Sequence, residues 1–115
     1  MAIVEEYEFG RIVINGREYR EDVIVHRNGV EEGWWRKEGH RVSLDDIKRI
    51  MQLNPEVVVF GTGAYGRMRV DEEVRRFLNE RSVEVIEDES FSAVRIFESL
   101  LRSGRNAVLA IHLTC

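Results

Sequence analysis

Val57-Val58-Val59-Phe60, followed directly by Gly61-Thr62-Gly63-Ala64-Tyr65-Gly66-Arg67, decides the fold. A β-branched and aromatic run with no polar member is the pattern of a strand buried on both faces. The glycines behind it let the backbone turn where side chains would clash.

Outward from this strand the period of the apolar residues changes. Upstream, Leu44, Ile47, Ile50 and Met51 form a helical stripe with Asp45, Lys48 and Arg49 off it; Ser43 is placed to cap this helix and Asn54-Pro55 to end it. Downstream, the spacing predicts a helix from Asp71 with Val74, Phe77 and Leu78 on one face, then a strand over Val83-Glu84-Val85-Ile86. A third helix, capped by Asp88 or Ser90, carries Phe91, Val94, Phe97, Leu100 and Leu101 and stops at Gly104. The last apolar run, Ala107-Val108-Leu109-Ala110-Ile111, completes a β, α, β, α, β alternation. Such alternation predicts a three-layer α/β arrangement in which helices cover a sheet, with Val57 to Phe60 at its centre.

Residues 5 to 35 read as β-rich. Glu8-Phe9 and Ile12-Val13-Ile14 lead into Asn15-Gly16, whose tolerance of positive φ suits a type I′ turn, so Arg17-Glu18-Tyr19 should fold back as a partner strand. Val23-Ile24-Val25 with Asn28-Gly29 repeats the pattern, and Gly33-Trp34-Trp35-Arg36 closes the region. With no linker, repeat or low-complexity tract, residues 1–115 read as a single domain, long enough to bury a core without disulfides.

Net charge and composition narrow the partners. Basic and acidic residues, 17 and 21 of them, are interspersed for a net charge of −4, which leaves no basic stripe for nucleic acid. No apolar run approaches the roughly 20 residues that span a bilayer, and Met1-Ala2-Ile3-Val4-Glu5-Glu6 lacks the features of a signal peptide. The lone Cys115 fits a reducing compartment. The expectation is a soluble, cytoplasmic protein that binds neither nucleic acid nor membrane.

Two constellations could carry chemistry. Gly61-Thr62-Gly63-Ala64-Tyr65-Gly66 matches G-x-G-x-x-G after a strand, with Glu87 and Asp88 at the end of the next strand, as in dinucleotide sites. Against this, Arg67-Met68-Arg69-Val70 separates the glycines from the next helix, whose Asp71-Glu72-Glu73 start would oppose a phosphate. Arg67 and Arg69 could still attract a smaller anion. A tight strand exit that needs glycine for backbone shape ranks ahead of both ligand readings. The second constellation is Trp34-Trp35-Arg36 with Gly39-His40: adjacent tryptophans in a strand point to opposite faces, leaving one for a surface, an interface or a pocket wall. His26, His40 and His112 are scattered, so neither a metal nor a cofactor is expected. Cys115 and His112, three residues apart, would point to opposite sides, and no catalytic residue is assigned.

Ile14-Asn15-Gly16 with Tyr19, Trp35-Arg36 before Gly39-His40, Phe60-Gly61-Thr62-Gly63, Ala93-Val94 and the His112-x-Thr114-Cys115 ending resemble a family of small single-domain proteins of unknown activity. Its eukaryotic relatives include a mitochondrial complex I assembly factor and a cytoplasmic protein associated with adipogenesis. The resemblance implies a three-layer α/β fold with a mixed central sheet, to which the residues themselves add an N-terminal β-hairpin region, and it brings no catalytic residue with it. Two functional expectations follow. One is a non-enzymatic protein-interaction or assembly module using a surface near Trp34 and Trp35, its partner another protein, with self-association left open. The other is a binder of, or enzyme for, an anionic metabolite or nucleotide at the strand ends, lined by Gly61, Thr62, Gly63, Arg67 and Arg69 with Arg36 or His40 reaching in.

Overall fold

Asn15 and Gly16 hold φ values of 50° and 80°, the left-handed pair that a two-residue hairpin turn demands. They fold β2 (Arg11–Ile14) onto β3 (Arg17–Tyr19), and β1 (Val4–Glu8) pairs antiparallel with the other side of β2. This small three-stranded sheet is the predicted hairpin region, with one strand more than expected. The computed structural model describes residues 2–115.

A second hairpin, β4 (Val23–His26) with β5 (Gly29–Glu31), joins a five-stranded mixed sheet. Its loop is Arg27-Asn28, one residue ahead of the expected Asn28-Gly29. The sheet order is β5-β4-β10-β7-β9, where β7 is Val57–Thr62, β9 is Glu84–Asp88 and β10 is Ala107–His112. β10 runs parallel to β7 from Ala107 beside Val57 to His112 beside Thr62, and antiparallel to β4. The centre is therefore β10, and β7 lies next to it. Both strands are apolar and wholly buried, so apolarity alone could not separate them; the β4–β5 hairpin, by adding two strands beyond β10, moves the centre over.

Alternation along these strands builds two cores. Val57, Val59, Leu109 and Ile111 face a layer made by β1, β2 and α3 (Ser90–Arg102), where Ile12, Ile14, Phe97 and Leu101 are buried. Val58, Phe60, Val108 and Ala110 face the opposite layer, with Ile50 from α1 (Lys48–Met51), Val74 and Leu78 from α2 (Glu72–Glu80), and Trp34. Helices thus cover both faces of a mixed sheet.

Several local elements differ from the sequence reading. Leu44–Ile47 forms a 3₁₀ turn ahead of α1, because the Asp46 carboxylate accepts from Ser43 N at 2.7 Å and Ser43 Oγ at 2.8 Å and tightens the start. α3 is capped by Glu89, which accepts from Phe91 N and Ser92 N, while Ser90 is buried. Residues 33–36 run outside any strand. A two-residue parallel pair, β6 (Arg41–Val42) with β8 (Arg69–Val70), was not signalled by any apolar run.

Gly61 lies inside β7, where a Cβ would stand 2.8 Å from Ile111 Cγ1. Gly63 has φ +106°, and a Cβ there would meet the Cys115 backbone carbon at 2.3 Å. Gly63→Ala is expected to destabilise the domain by about 3 kcal/mol or more in urea titration, combining backbone strain with overpacking. Gly39→Ala, with nothing near its Cβ position, should stay within about 0.5 kcal/mol of the parent.

Candidate functional site

At the sheet end where β10 stops, three separate stretches of chain meet on one carboxylate. Asp22, just ahead of β4, accepts from Leu113 N at 2.8 Å through Oδ1. Its Oδ2 lies 2.7 Å from His112 Nδ1 and accepts from Arg36 Nη2 at 2.7 Å. Arg36 is 4% exposed at its side chain and His112 8%, so this is a buried group. Burial alone would raise the Asp22 carboxyl, but the hydrogen bonds from His112, Leu113 and Arg36 outweigh it and hold it below the usual carboxylate range.

Donor and acceptor chemistry sets the histidine tautomer. Carboxylate and imidazole can share a hydrogen bond only if Nδ1 carries the proton, and Arg36, which lies 3.2 Å from the same nitrogen, has only donors to offer. In the neutral ring Nε2 is then the acceptor, and Thr114 Oγ1 lies 3.5 Å from it, at the outer limit of a hydrogen bond. Arg36 spends its remaining donors on Gly39 O, at 2.7 Å from Nη2, and on Trp34 O, and its guanidinium lies 4.5 Å from the Trp34 ring centroid. His40 is exposed, with its ring 5.5 Å from that of His112.

The tryptophans divide sharply. Trp34 is 3% exposed, packs near Phe60 and donates Nε1–H to Asp46 O at 2.9 Å. Trp35 is 78% exposed. It walls a pocket of about 320 Å³ whose lining includes Glu21, Asp22, Arg36, His112 and Thr114. A larger hollow of about 520 Å³ lies around Lys37, Arg41 and Asp46, but its cations are spent: Lys37 pairs with Asp45, and Arg41 with Glu38 and Asp71.

The residues singled out from sequence fall into two groups. Arg36, His40, Trp34 and Trp35 converge on the Asp22–His112 pair. Gly61 and Thr62 are the last two residues of β7 and Gly63 follows them, at the strand ends where open α/β sheets place ligands, and residues 114–115 of the same chain fill that crevice. Ala64 N donates to Thr114 O at 2.6 Å, and Tyr65 N and Arg67 N to Cys115 O at 3.3 and 3.1 Å. Thr62 Oγ1 donates to Asp88 O and Gly63 N to Ser90 Oγ. The Arg67 and Arg69 side chains are exposed. Among the described residues, no group of three or more His, Cys, Asp or Glu is arranged to hold a metal ion. No helix is long and apolar enough to cross a membrane.

Asp22, His112 and Thr114 are the members that sequence reasoning missed. Sequence proximity sets His112 only against Cys115, whose spacing of three puts it on the opposite side, whereas the i, i+2 spacing of His112 and Thr114 places both on one side of an extended chain. Asp22 offers no local signal, since its partners lie 14 and 90 residues away.

A family model described as "Protein of unknown function (DUF498/DUF598)" matches residues 4–112. The chain belongs to this family. A search of curated protein sequences finds no match. Among solved structures, a conserved hypothetical protein from Pyrococcus horikoshii is 24% identical, with TM-score 0.84 over 98% of this chain and 99% of that one. A Xanthomonas campestris protein solved by NMR is 16% identical, with TM-score 0.82 over 98% of this chain and 85% of that one. A Bartonella henselae protein described as an outer membrane protein is 24% identical, with TM-score 0.79 over 96% of each chain. At these identities the likeness shows the fold. A Bordetella pertussis member of the set, 18% identical with TM-score 0.67 over 97% of this chain and 85% of that one, is described as an Mth938-like domain, and that is the fold of this DUF498/DUF598 chain.

Asp22 also sets a pH dependence. Its folded carboxyl titrates below the unfolded value of about 3.9, so the unfolded chain takes up the proton first. Its stabilisation is complete above about pH 4 and is lost as pH falls through the folded value. Urea titrations from pH 6 down to pH 2 should show a shallower acid loss for Asp22→Asn than for the parent. At pH 7 this variant should be weaker by about 3 kcal/mol, because it leaves the buried Arg36 without its counter-charge.

Proposed function

We propose that this domain is a non-enzymatic interaction module that seats another protein on the pocket walled by Trp35. The observation that carries the reading is the split of the tryptophan pair, Trp34 at 3% exposure and Trp35 at 78%, beside a concave and partly buried polar site. A large aromatic ring left in water at the mouth of a pocket costs solvation and is the residue type that most often anchors protein interfaces. Arg36 braces the loop from beneath by clasping Asp22 and Gly39, so the ring is presented from a fixed base. Low ordering cost on binding follows from such pre-organisation.

The resemblance to a family with a mitochondrial complex I assembly factor and an adipogenesis-associated cytoplasmic protein supports an assembly role in the same class. The lone Cys115 supports a cytoplasmic setting, and the interspersed charge supports a protein partner over nucleic acid or membrane.

Trp35→Ala is the direct test. Being exposed, the residue should be removable with stability unchanged within about 0.5 kcal/mol. Affinity for proteins that co-purify with the parent from its native host should fall by at least about 2 kcal/mol. An unchanged set of co-purifying proteins with Trp35→Ala overturns the reading.

A further inference from the structure

We infer that the Trp35 pocket receives a lysine side chain carried on an extended segment of the protein partner. The inference rests on the docking reading above and names its chemistry.

Hydrogen-bond accounting within the pocket supplies the argument. On the pocket floor the Arg36 donors go to Asp22, Gly39 and Trp34 and the Leu113 N–H goes to Asp22, which leaves the Trp35 indole N–H and the Thr114 hydroxyl at its rim. Acceptors remain. His112 Nε2 sits on a side chain more than nine-tenths buried, and among the described residues it meets only the Thr114 hydroxyl, at 3.5 Å. Glu21 is exposed, lines the same pocket and has no ion-pair partner among the described residues. A group that satisfies such a floor must donate hydrogen bonds, and one that also complements Glu21 carries positive charge. Trp35 adds an aromatic face, which attracts a cation. Lysine meets these demands, with three N–H donors on a compact ammonium and an apolar stem to lie along the indole.

Size and continuity favour a side chain on a segment over a free metabolite. A volume of about 320 Å³ is at the small end for ligand pockets and too small for a dinucleotide. A second hollow of about 280 Å³ shares Glu21 and Gly33 with the first and extends past Glu18 and Glu32. Across the two hollows the lining holds four carboxylates, of Glu18, Glu21, Asp22 and Glu32, against two guanidinium groups, of Arg20 and Arg36. Glu18 is paired with Arg11 and Arg20, Glu32 with Arg17 and Asp22 with Arg36, so Glu21 is the carboxylate among them left to meet a basic segment.

The test is an NMR titration of the intact domain followed at the Trp35 indole N–H and the His112 ring. The probes are acetyl-Ser-Gly-Lys-Gly-Ser-amide, its norleucine and glutamate counterparts, and n-butylamine at neutral pH. The lysine peptide is expected to shift both resonances with an apparent Kd at least about tenfold below that of the norleucine peptide, weakening with added salt. Glu21→Gln, an exposed change that leaves folding intact, should weaken it several-fold, and Trp35→Ala should remove the response at the His112 ring. Equal responses to lysine and norleucine, or a stronger response to glutamate, overturn the cationic assignment. Binding of n-butylamine as tight as that of the lysine peptide overturns the segment. If Trp35→Ala releases co-purifying proteins while the lysine peptide gives no shift, the docking reading stands and the lysine assignment falls.

Discussion

The parallel ladder between β10 and β7 is the constraint on which the remaining structure hangs. Both strands are buried along their whole length, so each backbone N–H and C=O must find its partner in the sheet. That pairing sets Gly61 against Ile111 and Thr62 beside His112, and so fixes where the two chains leave the sheet together. Everything beyond them follows from this exit. Gly63 turns at positive φ to let the residue 114–115 backbone pass, and the amides of Ala64, Tyr65 and Arg67 bind that backbone in turn. A motif with the outline of a phosphate cradle therefore holds polypeptide oxygens.

The polar group at the sheet end depends on the same register. His112 is the last residue of β10, and its carbonyl takes the Ser90 hydroxyl while its ring takes the Asp22 carboxylate. Asp22 then recruits Arg36, and Arg36 holds the stretch that carries both tryptophans and Gly39. A buried charge pair of this kind contributes little net stability over an apolar substitute, but removing one partner strands the other. Its contribution here is positional: it sets the direction in which a loop without secondary structure presents Trp35.

Periodicity revealed the layers of this fold and most of its elements. The apolar runs at 57–60 and 107–111, the i, i+3, i+4 stripes and the Asn15-Gly16 turn each report a local preference that the tertiary structure keeps. Strand order was less legible, because two runs of equal apolarity carry no mark of which one the β4–β5 hairpin will join. The candidate site was legible by halves. Trp34, Trp35, Arg36 and His40 were conspicuous as residue types close in sequence, whereas Asp22 and His112 meet only because β4 and β10 are neighbours. Capping was similarly split: Ser43 has the expected residue type, while Glu89 displaced both Asp88 and Ser90, since Ser90 is drawn inward to bridge Gly63 and His112.

The margins of both sheets bear on how copies of the chain can meet. β9 borders the five-stranded sheet and exposes Glu84, Glu87 and Asp88; β1 borders the small sheet and exposes Glu5, Glu6 and Glu8. An open strand edge invites another chain to extend the sheet, and charged side chains along it oppose that pairing. Two copies brought together at either margin would set carboxylates against carboxylates, while β5, at the far side, offers only the three residues Gly29–Glu31. Carboxylates along β1 and β9 thus oppose sheet extension between copies at those two edges.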